Sequence, residues 1–175
     1  LSLHDALPIC VDSADVVVTA HATNIESTGW VIIDSAKRNG LQVVISGNGT
    51  DFHGFADKMM GLKAALYSIN GNPIVISTDA NDVMLQCSGQ EFKKRFNQAN
   101  ADFIFGGETQ LWPEIHAYFG RTDEIAWKEK MSDTLGKIGA AGPPAKLTGE
   151  HPNVWANAGS FMARKNVMLK YIEET

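Results

Sequence analysis

Three short β-branched runs constrain this chain more than any other feature: Asp15–Thr19 (DVVVT), Leu41–Ile45 (LQVVI) and Ile74–Thr78 (IVIST). Runs of this kind are the pattern of buried strands. Between the first two, apolar residues at Ile25, Trp30, Val31, Ile33 and Ala36 recur at roughly helical spacing over Ile25–Asn39, and Gly40 stands where a C-terminal cap belongs. Between the second and third, a polar loop, Ser46–Phe55, leads into Ala56–Ile69, where Met59, Leu62, Leu66 and Ile69 share one helical face. Asn70–Pro73 is a turn cluster. Ser88 and Glu91 have capping-box spacing and open a helix to about Ala99, followed by a fourth strand, Ala101–Phe105. Strands alternating with helices over short connections predict an α/β fold with a mostly parallel sheet covered on both faces.

Downstream the pattern changes. Phe119–Glu150 is polar, with a Gly/Pro-rich stretch at Gly139–Pro144, and reads as an irregular excursion with one helix near Asp123–Thr134. Val154–Trp155 and Phe161–Ala163 read as short strands on either side of a turn at Asn157-Ala158-Gly159. Asn166–Thr175 reads as a helix, through Val167, Leu169, Tyr171 and Ile172, that stops without a Gly or Asn cap. The natural sequence is expected to continue beyond it. Residues Leu1–Ile9 (LSLHDALPI) resemble translated sequencing adapter and match no signal peptide, so they are set aside as a non-native leader.

A chain of 175 residues fits one domain. Its net charge of −5 argues against broad nucleic-acid binding. It leaves room for a phosphate-bearing small ligand, because a bound divalent cation supplies positive charge locally. No apolar run approaches the ~20 residues a membrane helix needs. Cys10 and Cys87 are too few for a disulfide framework or a four-ligand zinc site and are expected to be buried as small apolar residues.

The chemistry concentrates in Ile74–Leu85 (IVISTDANDVML). A strand runs into Asp79, and ligands of parallel sheets sit beyond the carboxyl ends of the strands. Asp82 follows three residues on, which in extended chain would be roughly 10 Å away. The chain must therefore turn after Asp79 for both carboxylates to meet one cation. Hard carboxylate oxygens suit Mg²⁺ or Mn²⁺ and leave coordination positions for diphosphate oxygens. A turn residue followed by a cap explains the same two acids. Trp112, beside Pro113, offers a flat face for a base or sugar, or a core plug. Asn157, Gly159 and Ser160 offer an amide, a permissive backbone and a hydroxyl, or a plain turn. His53, His116 and His151 fall in loops and read as solvated.

STDANDV (Ser77–Val83), GETQLWPE (Gly107–Glu114) and PNVWANAGSFMA (Pro152–Ala163) stand in the order of three motifs of one family. From about Val16 onward the chain resembles the glycosyltransferase domain of procollagen lysyl hydroxylases and of collagen galactosyltransferase-like proteins. The resemblance implies a GT-A-like fold, incomplete here at its C-terminal end, with residues 10–175 forming the N-terminal part of a single domain. It implies hexose transfer from a UDP-sugar to an acceptor hydroxyl, of hydroxylysine type or on a glycan, with Mn²⁺ or Mg²⁺, in the secretory lumen. Carried over residue by residue, Asp79 and Asp82 would be the metal ligands. Thr19 and Lys58 would approach the nucleotide, Trp112 the donor sugar, and Asn157, Gly159 and Phe161 would form the sugar-side turn. Asn81 stands where the family carries an aromatic that stacks on uracil, and Ser160 where it carries a second glycine. Relative to the animal enzymes, extra residues lie between Glu114 and Pro152. The family's downstream acidic segment and late histidine would fall beyond Thr175. No residue is identified as the catalytic base or nucleophile.

Two other classes remain. A metal-dependent phosphoryl-transfer enzyme would carry its nucleophilic Asp after the first strand, and Thr19-Ala20-His21 has none. A non-catalytic nucleotide- or glycan-binding module is the other.

Overall fold

The computed structural model describes residues 15–108 and 155–174. Within them, β1 (Val16–His21), β2 (Gln42–Ser46), β3 (Ile74–Asp79), β4 (Phe103–Glu108) and β5 (Trp155–Arg164) form one sheet in the order β2-β1-β3-β5-β4. β1 runs parallel to both β2 and β3, and β5 runs antiparallel to β3 and β4. The sheet is therefore mostly parallel, as the alternation of elements predicts.

The helices are α1 (Trp30–Arg38), α2 (Phe55–Ser68), α3 (Gly89–Ala99) and α4 (Lys165–Glu174). Two separate cores explain why the strand runs are continuously apolar instead of alternating. On one face Val16, Val18, Ile74 and Ile76 pack with Ile32 and Ala36 of α1 and Phe96 of α3. On the other, Val17, Val75, Phe161 and Ala163 pack with Leu62 and Leu66 of α2 and Met168 of α4. Each β-branched residue thus meets a helix whichever way it points.

Three details depart from the sequence reading. The segment before α1 is a π-helical turn, Ile25–Gly29, capped by Asn24, whose Oδ1 accepts from the Ser27 amide at 3.1 Å. At α3, Ser88 caps as expected by accepting from the Glu91 amide at 3.4 Å, but the Glu91 carboxylate binds Arg95 Nε at 2.7 Å, one turn on. The third departure is larger. Asn157-Ala158-Gly159 is not a turn between two strands, because Trp155–Arg164 is one strand. Its irregularity is a shift of register. Phe105 of β4 pairs with Phe161, whereas Gly106 pairs with Asn157. Turn-forming residues are held extended here because β5 is flanked by β3 and β4, whose backbone groups it pairs with. The helix expected near Asp123–Thr134 and the excursion around it lie outside the described residues, as does Cys10; Cys87 is a free, half-buried thiol.

Candidate functional site

The carboxyl ends of β1, β2 and β3 meet at one rim. Register sets His21 beside Ser46 on one side and beside Asp79 on the other. Registered neighbours share a face of the sheet, and here it is the face that α2 covers. Helix α2 brings Lys58 over that rim, where its ammonium forms an ion pair with Asp79 Oδ1. The Lys58 side chain is 19% exposed and that of Asp79 45%. A largely desolvated ammonium requires an anion, and Asp79 supplies one.

Between the rim and α2 lies a small cleft of about 10 Å³, partly open to solvent, whose lining includes Thr19, His21, Ser46, Lys58, Ser77 and Thr78. Thr19 is almost wholly buried, and its hydroxyl donates to the Ile76 carbonyl at 3.5 Å. His21 Nδ1 lies 3.1 Å from Ser46 Oγ, and that hydroxyl in turn donates to the Ala20 carbonyl at 3.5 Å. Among the described residues His21 Nε2 and Thr78 Oγ1 are buried polar atoms without a partner. Two glycines make room for the His21–Ser46 pair. A Cβ at Gly61 of α2 would stand 2.6 Å from His21 Nδ1, and one at Gly47 would stand 2.7 Å from Nε2. Sequence reading passed over this pair. The signal was the two-residue alternation that puts His21 on the same side of β1 as Thr19.

After Asp79 the chain bends at Ala80, Asn81 and Asp82. Ala80 is buried, whereas Asn81 and Asp82 are exposed. The far end of this bend is fastened to α1. Asn39 Nδ2 donates to the Leu85 carbonyl at 2.9 Å, and the Leu85 amide donates to Ser35 Oγ at 3.1 Å. On the opposite side of Asp79, β5 brings Ser160 into register with Thr78, so Gly159 and Ser160 arrive at the same rim. Asn157 lies in β5 opposite Gly106. At the start of α2, Asp57 accepts from the His53 amide at 2.6 Å. That bond holds its carboxyl below the ordinary value, with smaller help from the His53 ring and from His21.

The structure therefore gathers Thr19, Lys58, Asp79, Asp82, Asn81, Gly159 and Ser160 at one end of the sheet. Trp112, His116 and His151 lie outside the described residues. Among the described residues no group of three or more His, Cys, Asp or Glu side chains is placed to hold a metal ion. No helix of the described residues is long and apolar enough to cross a membrane. No curated protein matches the sequence. A family model, the PLOD GT domain, matches residues 12–118. That span is more than half of the chain and takes in β1 to β4 with every residue lining the cleft. The chain therefore belongs to the glycosyltransferase domain family of the procollagen lysyl hydroxylases, and its mixed α/β sheet is GT-A-like.

Proposed function

We propose that the full-length protein moves a hexose from a UDP-sugar to an acceptor hydroxyl, with Mn²⁺ or Mg²⁺ held by Asp79 and Asp82. The observation that carries this reading is the end of β3: Asp79 closes the strand at the carboxyl rim, and the chain bends at once so that Asp82 follows within the turn. Two carboxylates are hard donors of the kind these ions prefer, and Asp79 already faces a positive charge, the Lys58 ammonium. The residues thus fit the ion in kind, although they make up only part of its shell. Such a cation, when bound, offsets the charge that gathers on a diphosphate as a glycosidic bond breaks.

The chain's own residues supply the rest of the reading. Lys58 is a second positive centre at the same rim, within reach of a phosphate at the cleft mouth. The buried Thr19 shapes the cleft floor beneath the nucleotide. Asn81, Trp112, Asn157, Gly159 and Ser160 surround the base and the donor sugar, by their match to the family motifs. An acceptor of hydroxylysine type or a glycan, met in the secretory lumen, completes the proposal.

Calorimetric titration with UDP, with and without Mn²⁺, tests it. UDP is expected to bind at least tenfold more tightly with the metal, about 1.4 kcal/mol. Asp79→Ala is expected to abolish that gain while leaving the circular dichroism of the domain intact. Equal UDP affinity with and without Mn²⁺, and in Asp79→Ala, would remove the metal from the reading. Release of UDP from UDP-glucose or UDP-galactose by the longer protein distinguishes a transferase from a binding module.

A further inference from the structure

We infer that Asn48 is a site of N-linked glycosylation, taking an oligosaccharide from a lipid diphosphate carrier as the chain enters the secretory lumen. The inference rests on the lumenal location proposed above. Asn48-Gly49-Thr50 is an Asn-x-Thr acceptor sequence, and no other asparagine of the chain has a serine or threonine two positions on. A three-residue pattern arises easily by chance, so its weight comes from where the fold puts it. All three residues are exposed, in the connection between β2 and α2.

The two ends of the Asn48 amide have separate tasks. Its Oδ1 accepts from the Ile25 amide at 3.2 Å, in the turn before α1. Its Nδ2 has no hydrogen-bond partner among the described residues. The atom that would carry the sugar is thus the one the fold leaves open, and a sugar on Nδ2 leaves the oxygen bonded to Ile25. The surrounding turn is held by other groups. The Gly49 amide donates to the Thr23 carbonyl at 2.9 Å, the Thr50 amide donates to the Gly47 carbonyl at 3.0 Å, and Gly49 takes φ of 79°. Asn39 is the contrary case, because its Nδ2 donates to both the Ser35 and Leu85 carbonyls and would lose one of them to a sugar. The step joins Asn48 Nδ2 to the anomeric carbon of N-acetylglucosamine. It breaks that carbon's bond to the lipid diphosphate and releases one amide proton. In the fold the Thr50 hydroxyl donates to the Gly47 carbonyl at 2.6 Å. Transfer, which needs that hydroxyl, therefore precedes closure of the turn, and the exposed position then accommodates the product.

The test expresses the full-length protein in eukaryotic cells in two forms, as encoded and behind an added cleavable signal peptide. Each form is located by cell fractionation, treated with peptide N-glycosidase and read at the Asn48 peptide by mass spectrometry. Both forms are expected in the lumen with a glycan on Asn48, which the glycosidase removes with conversion of the asparagine to aspartate. Asn48→Gln and Thr50→Ala are expected to lose this glycan and the matching shift in electrophoretic mobility. Thr50→Ser, which keeps the hydroxyl, is expected to retain it at lower occupancy, so the loss in Thr50→Ala reports the acceptor sequence and not a disturbed turn. An unmodified Asn48 in protein recovered from the lumen overturns the inference and leaves the lumenal location standing. If the encoded form stays outside the lumen unmodified, and only the form with the added signal is glycosylated, the location fails first and this inference with it.

Discussion

His21 and Ser46 show how much of this site depends on what is absent from a side chain. Their hydrogen bond exists because Gly61 has no Cβ to meet His21 Nδ1 at 2.6 Å. Alanine at 61 favours the helix by propensity but overpacks the rim. Gly61→Ala is therefore expected to lower stability by about 1–3 kcal/mol in urea titrations, opposite in sign to its helix propensity. Gly47 and Gly49 offer an internal control. Both have positive φ, at 84° and 79°, so alanine strains both backbones. Only at Gly47 would the new Cβ also strike the His21 ring, because Gly49 has open space around it. Gly47→Ala should cost more than Gly49→Ala, and equal melting temperatures would show that the ring gives way freely. Asp79 was legible in the sequence because a buried run ended on the first acid after it. The His21–Ser46 pair was not, because it depends on which residue of β2 stands beside which residue of β1. No spacing along the chain records that register.

At the scale of elements, the end of α1 governs the loop that carries Asp82. Asn39 bridges its own helix end and the Leu85 carbonyl, donating to Ser35 and Leu85 at 2.9 Å each. Asn39→Ala removes both bonds and strands a partly buried carbonyl. The expected loss is about 1–3 kcal/mol, together with faster hydrogen exchange at the Leu85 amide. The start of α2 makes a prediction in pH. The Asp57 carboxyl is lowered from 3.8, chiefly by the His53 amide that donates to it. A carboxyl lowered on folding adds stability that is complete above its unfolded value and lost as pH falls through the lower folded one. The gap in melting temperature between wild type and Asp57→Asn should thus be full at neutral pH and close only below about pH 3.8. A gap that persists at still lower pH would assign the effect to amide geometry instead of charge. Elements were readable where local preference and burial agreed, as in β1, β2 and β3. They were misread where sheet pairing overrode preference, as in the Asn-Ala-Gly-Ser portion of β5. Glu91 was half right, since a nearby arginine competed for the carboxylate that a capping box would have used.

For the whole molecule, the order β2-β1-β3-β5-β4 means that the last strand in the chain fills the gap between two earlier ones. β4 joins the sheet through β5, so its backbone pairing passes through residues 155–164, while Tyr171 of α4 adds a ring contact to Phe103 and Phe105. Phe161 is the centre of that connection. It is 6% exposed and lies 5.7 Å and 5.8 Å, ring to ring, from Phe103 and Phe105 of β4. Its other neighbours in that core include Met168 of α4 and Leu66 of α2. Truncation to alanine removes the stacking and leaves a cavity, at a cost of about 3–5 kcal/mol. In a chain of this size each kcal/mol is worth roughly 2–4 °C, so the melting temperature should fall by roughly 10 °C or more. The effect should also be uneven. β1 and β3 are clamped between α1 and α3 on one face and α2 on the other, whereas β4 depends on β5 and its aromatic cluster. Hydrogen exchange in Phe161→Ala should therefore open Phe103–Phe105 well before Val17–Thr19. Simultaneous loss of protection in both strands would mean that the sheet unfolds as a single unit and that β5 is not its weak seam.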